Sequence, residues 1–186
     1  MQLKPHRYEH YNTTLRDLLQ TITTLIRNYV STLKSHTPNL ITQANRLWEL
    51  RQRHRLVIGY QIHTVLCCRQ SQLEALDEIA NNIADFERTS NELREEAQEE
   101  TQSSELTTLS SWTAWLLETL NVLQTQAKYL ELHTRSMQPM AMESTTVKRF
   151  RKDLQLVKEY ELNICMGIAK AERQQPGILP PVATAT

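Results

Sequence analysis

The chain has 186 residues, enough for one domain or one extended helical subunit, and its 21 basic and 21 acidic residues give a formal net charge of zero. It contains only three glycines, so tight β-turns and glycine-rich phosphate-binding loops have almost no place in it. Aromatic residues make up 6%, which argues against a large isotropic core and favours narrow apolar stripes on helices.

The first predicted helix covers residues 12–34. Its apolar residues recur at steps of three and four, as on one face of a helix: Leu15, Leu18, Ile22, Leu25, Tyr29 and Leu33. We expect this helix to end near Ser35 and His36, because Thr37 and Pro38 supply an N-cap and a proline suited to the first position of a new helix.

The second predicted helical region covers residues 38–102 and contains one glycine, Gly59, and no proline after Pro38. Without a break it would be about 90 Å long, at about 1.5 Å per residue. The apolar stripe lapses between Arg51 and Gly59, and a glycine weakens a helix. A continuous helix and a bend in this segment are therefore both open.

The third predicted helix covers residues 104–137, behind a serine cap at 103–104. Its leucines keep heptad spacing, and Trp112 fills the one gap. Pro139 lies in the following loop, and Ser144 can cap a fourth helix over residues 144–174. That helix has one apolar stripe: Val147, Phe150, Leu154, Val157, Ile164, Ile168 and Ala171.

These patterns predict an all-α fold, an elongated antiparallel helical bundle or coiled coil of about four helices over residues 1–174. The proline-containing segment 175–186 is predicted to be a disordered tail. Apolar stripes sustained over several heptads often stay partly uncovered in one chain. We therefore expect other helical subunits as partners, in a hetero-oligomer.

Two sequence features bear on localisation. The N-terminal residues show no apolar signal segment. The longest charge-free apolar run, from Leu56 to Cys68, is shorter than the roughly 20 residues of a membrane span. We expect a cytoplasmic protein without a membrane span, associated with the cytoskeleton or spindle or located in the nucleus.

The sequence predicts no enzyme, and no catalytic, metal-binding or cofactor-binding residue. Motifs for nucleotide binding, for a serine nucleophile and for catalytic zinc are absent: GxxxxGK[ST], GxGxxG, GxSxG and HExxH. No histidine has a glutamate three residues before it, as the di-iron bundles require. His63 and Cys67 share a helix face, but tetrahedral zinc needs four ligands.

Two basic clusters are candidate partner-binding sites: Arg46, Arg51, Arg53 and Arg55, and then Lys148, Arg149, Arg151 and Lys152. Three interpretations are open: solvated helix faces, a docking surface for an acidic partner such as a subunit or a tubulin tail, and a surface for nucleic-acid phosphates. Nucleic acid is disfavoured because the net charge is zero, and because steps of two turn the arginines of 51–55 to different helix faces.

A third candidate for partner binding is the apolar group Trp112, Trp115 and Leu116. The two tryptophans are three residues apart and share a helix face, so burying both is a large apolar gain. The alternative is that this group belongs to the core of the bundle itself.

In composition and periodicity over residues 12–174, the chain is similar to the small coiled-coil subunits of augmin, kinetochore and vesicle-tethering complexes. The similarity implies a non-enzymatic structural subunit of a larger assembly, associated with microtubules and the mitotic spindle. The alternatives are a nucleic-acid-associated helical protein that uses both basic clusters and a subunit of a vesicle-tethering or trafficking complex.

Overall fold

The computed structural model describes residues 5–52, 60–96, 103–136 and 144–173. They form five helices: α1 Pro5–Gln52, α2 Tyr60–Glu96, α3 Ser103–Ser136, α4 Ser144–Asp153 and α5 Lys158–Glu172. No strand occurs within these ranges, and the predicted all-α fold is confirmed. The predicted loop covers residues 136–143, of which Ser136 ends α3 and the others lie outside the described residues. The predicted tail at 175–186 also lies outside them.

Helix α1 does not end near Ser35 as predicted, because it continues through Pro38 to Gln52. A proline inside a helix lacks one hydrogen bond and costs about 3 kcal/mol. Leu33 and Leu40 are seven residues apart and both buried, so the apolar stripe stays in phase across the proline. The hydroxyl of Thr37 donates to the carbonyl of Leu33 at 2.7 Å. Burial on both sides of the proline thus outweighs the local stop signal.

Helices α1 and α2 run in opposite directions. Glu96, the last residue of α2, accepts hydrogen bonds from Arg7 at 3.1 Å and from Tyr11 at 3.0 Å, near the start of α1. One straight helix from Arg7 to Glu96 would separate these residues by about 130 Å. The continuous alternative for 38–102 is therefore excluded, although residues 53–59 and 97–102 lie outside the described ranges.

The predicted fourth helix is two helices, since α4 ends at Asp153 and α5 begins at Lys158. Val157, which the sequence assigns to the apolar stripe, has 57% of its surface exposed. The chain contains neither proline nor glycine between these helices. At the end of α4, the carbonyl of Leu154 accepts a hydrogen bond from Gln126 of α3.

The helices divide into two compact units. Unit 1 comprises Met1–Ile26, Glu78–Leu120 and Leu162–Thr186, and unit 2 comprises Arg27–Asp77 and Asn121–Glu161. Helices α1, α2, α3 and α5 each contribute a segment to both units.

The core of unit 1 is formed by inward-facing aliphatic and aromatic residues of four helix segments. Its most deeply buried members include Leu15, Leu19, Ile22, Ile79, Ile83, Phe86, Leu109, Trp112, Leu116 and Ile164. The two indoles of Trp112 and Trp115 meet edge to face, with ring centroids 5.7 Å apart. Nζ of Lys170 on α5 lies 4.9 Å from the centroid of Trp112, in a cation–π contact.

Trp115 explains a glycine in the middle of α5. A Cβ atom added to Gly167 would overlap the indole ring of Trp115. Glycine weakens a helix interior by about 1 kcal/mol relative to alanine. The packing of the indole offsets this cost at Gly167, because only glycine lets the indole lie against the α5 backbone.

In unit 2, one core cluster joins three helices. It contains Leu40 and Ala44 of α1, Leu130 of α3, and Val147, Phe150 and Leu154 of α4, with Ile41 and Trp48 packed against it. Elsewhere in unit 2, burial raises the pKa of Tyr29 to about 12, because the phenolate would lose its hydration.

Candidate functional site

Helix α4 is a short amphipathic helix with a strongly basic outer surface. Val147 and Phe150 are buried on its inner face. Burying that face directs the basic side chains outward, and all four are exposed: Lys148, Arg149, Arg151 and Lys152. The only acid of α4, Asp153, is bound by His133 of α3. Asp153 forms no ion pair with any of the four cations.

The exposed face of α4 lies beside α1. Nη2 of Arg151 donates to Oδ1 of Asn45 at 3.3 Å, and the next residue of α1, Arg46, is exposed. One member of the first predicted basic cluster and all four of the second thus lie on neighbouring helices of unit 2. We call these five residues the α1–α4 basic surface: Arg46, Lys148, Arg149, Arg151 and Lys152.

The five cations of this surface outnumber the acids within four residues of them along the chain, which are Glu49 of α1 and Asp153 of α4. Other cations pair with acids, as Arg7 does with Glu96 and Arg88 with Asp85. None of the five residues of the α1–α4 basic surface forms an ion pair within residues 5–52, 60–96, 103–136 and 144–173. A chain of zero net charge therefore carries a local excess of positive charge here.

The rest of the first basic cluster is placed only in part. Arg51 belongs to α1, but its side chain is not among those that the structure describes. Arg53 and Arg55 lie outside the described residues. Their predicted role in partner binding remains a prediction.

The tryptophan group lies in the core of unit 1. Trp112 is 2% exposed and Leu116 is fully buried, so neither presents a surface to a partner. Trp115 is half-buried, against Gly167. Of the two interpretations left open by the sequence, the structure places Trp112 and Leu116 in the core of the bundle itself.

A different apolar surface is exposed on α5. Leu162 and Met166 are 62% and 63% exposed, and Cys165 between them is also exposed. Cys165 and Met166 follow Leu162 by three and four residues, so all three lie on the side of the helix opposite to the buried Ile164 and Ile168. Sequence reasoning missed this face, because the buried stripe alone accounts for the periodicity of the helix.

Two polar residues of α3 were also missed, and they bind the end of α4. Nε2 of Gln126 donates to the carbonyl of Leu154 at 3.2 Å, and Nε2 of His133 is hydrogen-bonded to the carboxylate of Asp153. Both α3 residues are buried. They are seven residues apart and in phase with Leu123 and Leu130, and a polar residue in an apolar stripe is a sequence signal for such contacts.

Two further kinds of functional feature, metal sites and membrane spans, are absent from the described residues. No group of three or more His, Cys, Asp or Glu within them is placed to hold a metal ion. In the part of the chain that the structure describes, no helix is both long enough and apolar enough to cross a membrane. Comparison with known protein families, with curated proteins and with solved structures gives no match.

Proposed function

We propose that the chain is a non-enzymatic interaction subunit, and that its α1–α4 basic surface binds an acidic segment of another protein. The observation that carries the proposal is the group of five exposed cations, contributed by two helices, without an ion pair among the described residues. Such a cluster attracts acidic partners over the Debye length of about 8 Å at physiological salt and fixes their orientation.

An acidic protein segment fits this surface better than a nucleic acid does. Nucleic-acid binding gains most of its affinity from many phosphate contacts and is helped by an excess of positive charge over the domain. This chain has no such excess, because its net charge is zero. A peptide with a few carboxylates matches a surface of five cations in size and charge.

We propose a cytoskeletal or spindle assembly as the setting, on the strength of the sequence similarity in composition and periodicity. An acidic tubulin tail and an acidic face of another helical subunit are both segments of the required chemistry. Co-sedimentation with microtubules tests the setting separately from the surface. If the chain stays in the supernatant at every microtubule concentration, the proposed association with microtubules is wrong. The proposal that the α1–α4 basic surface binds an acidic segment is not tested by that result.

The surface is tested by fluorescence anisotropy on the full chain, with a short labelled poly-glutamate peptide and a labelled DNA duplex as probes. The test variant replaces four cations by glutamine: Lys148, Arg149, Arg151 and Lys152. The control variant makes the same change of charge in unit 1, at Arg7, Arg16, Arg88 and Arg173. Both variants lose four positive charges, but three of the control arginines (Arg7, Arg16 and Arg88) are in ion pairs with acids, whereas the four cations of α4 are not.

We expect the peptide to bind the native chain and the control variant alike, and the test variant at least about tenfold more weakly. Each exposed ion pair contributes about 0.2–1 kcal/mol, so four together contribute about 0.8–4 kcal/mol, a range that includes the roughly 1.4 kcal/mol of a tenfold change. Equal binding by the two variants would show a non-specific charge effect and contradict the proposal. Tighter binding of the duplex than of the peptide, lost in the test variant, would replace it by the nucleic-acid function.

A further inference from the structure

The break between α4 and α5 is not encoded by the residues at the break. Leu154, Val157 and Ile164 fall in phase on one helix face, and residues 154–157 contain no helix breaker. In a continuous helix the amide of Lys158 would donate to the carbonyl of Leu154. The helix would then also bury Val157, which is largely exposed as the chain stands.

Instead, side chains of α3 hold the end of α4. The carbonyl of Leu154 accepts its hydrogen bond from Gln126, and Asp153, the last residue of α4, is bound by His133. These two hydrogen bonds satisfy groups that are buried or half-buried at the helix end, where an unpaired group would be costly. We call Gln126 and His133 the α3 clamp.

The start of α5 is held independently. The amide of Glu161 donates to the carbonyl of Val157 at 3.0 Å, which makes Val157 the residue before the first helical position. The carboxylate of Glu161 pairs with Lys34 of α1. Both ends of the break are therefore attached to neighbouring helices of unit 2.

We infer that Gln126 and His133 are positioning residues that keep α4 in its observed register along α1. Leu154 and Gln155 already continue the helical turn, because their amides donate to the carbonyls of Phe150 at 3.0 Å and of Lys152 at 3.3 Å. An extended residue advances about 3.3 Å and a helical residue about 1.5 Å, so Leu156 and Val157 would draw α4 along its axis by up to about 4 Å on joining the helix. A shift of this size is enough to break a hydrogen bond. Arg151 would leave Asn45, and the cations of α4 would no longer lie beside Arg46.

The significance of this register for binding rests on the proposed function, but the register itself does not. Without the α3 clamp, residues 144–172 form the single helix that their sequence favours. The α1–α4 basic surface then exists only in the clamped arrangement, so α3 governs a surface to which it contributes no cation.

Native-state hydrogen exchange, resolved by NMR on the full chain, tests the inference. The amides of Leu156, Val157 and Lys158 donate no hydrogen bond to another described residue, so we expect fast exchange in the native chain. In the clamp variant, Gln126→Met with His133→Leu, these amides join the helix and their exchange slows by at least about tenfold. The matched control is Gln124→Met, a half-buried glutamine of α3 outside the clamp, which leaves exchange unchanged.

Lys158→Pro separates a loss of register from a loss of folding. Proline is favoured at the first position of a helix, which Lys158 occupies in α5. In the interior of a helix it removes a hydrogen bond and costs about 3 kcal/mol, a cost that burial offsets at Pro38 of α1. Added to the clamp variant, it restores fast exchange at Leu156 and Val157. Alone, it leaves the chain folded with native exchange at these two amides.

The inference is overturned if the clamp variant shows native exchange, or if Lys158→Pro fails to remove the new protection. Unfolding of the chain by Lys158→Pro alone would overturn it as well. Peptide binding is measured on the same variants, and we expect it to weaken in the clamp variant and recover with the proline. If exchange follows the expectation while binding stays constant in every variant, the proposed function fails and the positioning role stands.

Discussion

The two parts of α3 contact the last helices of the chain in different ways. In unit 1, Trp115 lies against Gly167 of α5 and Trp112 lies beneath Lys170. In unit 2, Gln126 and His133 hydrogen-bond the end of α4. The first contact is stabilised mainly by buried apolar area, and the hydrophobic effect is non-directional. The second requires donor and acceptor to meet within a few tenths of an ångström, so it specifies one arrangement.

The two contacts therefore have different roles, one in the stability of the chain and one in the position of α4. We expect the contact in unit 1 to dominate the free energy of unfolding, and the contact in unit 2 to contribute less to stability but to fix the position of α4. Four predicted changes in stability test these expectations.

Gly167→Ala should lower the free energy of unfolding by about 2 kcal/mol, in a urea titration. The new methyl group overlaps the Trp115 indole, and overpacking of this kind costs about 1–3 kcal/mol or more. The gain in helix propensity, about 1 kcal/mol, opposes the loss and does not cancel it. Asn163→Ala, at an exposed position of the same helix, is the control and should be neutral or slightly stabilising. Equal stabilisation by both changes would show that the Trp115 indole does not lie against Gly167.

Tyr29 makes the stability of the chain depend on pH above about 10. Its pKa is raised from 10.0 to about 12 by burial, so between these values the unfolded chain releases a proton that the folded chain retains. Stability contributed by the buried phenol is complete below pH 10 and is lost as the pH rises toward 12, by about 2 kcal/mol. Thermal unfolding at stepwise pH should show this loss in the native chain and in Tyr160→Phe, an exposed control, but not in Tyr29→Phe.

Gln126→Met should destabilise the chain by only about 1 kcal/mol. The change leaves the carbonyl of Leu154 without its donor, which costs about 1–3 kcal/mol. It also removes Oε1 of Gln126, which is buried and has no partner among the described residues, and this offsets part of the loss. Urea titration beside Gln124→Met measures the difference. A loss as large as that of Gly167→Ala would contradict the division between stabilising and specifying contacts.

The four-glutamine variant of α4 should unfold within about 0.5 kcal/mol of the native chain. All four replaced side chains are exposed, and the buried side of the helix is unchanged. Circular dichroism during a urea titration gives this value. A much larger loss would mean that these cations stabilise the fold, and the binding comparison would then need single substitutions.

The sequence predicted the fold class because the apolar periodicity of each segment is strong and local. It failed at Pro38, where a local stop signal competes with Leu33 and Leu40, whose shared phase is visible only across the proline. It failed again at the α4–α5 break. There the carbonyl of Leu154 accepts a hydrogen bond from Gln126, 28 residues earlier in the chain, and the local sequence pattern does not predict this contact.

For the candidate site, the sequence identified the cations but not their arrangement. Arg46 and Arg151 are more than a hundred positions apart, and only the packing of α4 on α1 brings Asn45 and Arg151 into contact. The sequence ranked Trp112 as highly as the cations, because a tryptophan on a helix face suits a core and a partner contact equally well. Burial distinguishes the two uses, and burial depends on the packing of all the helices in the unit.

The most direct test of the central claim is hydrogen exchange on the full chain with and without the poly-glutamate peptide. We expect the peptide to slow exchange in α4 and in the adjoining part of α1 around Arg46, with no change at the exposed face of α5. Protection confined to α5, or no protection at a peptide concentration that saturates the anisotropy signal, would contradict binding at the α1–α4 basic surface.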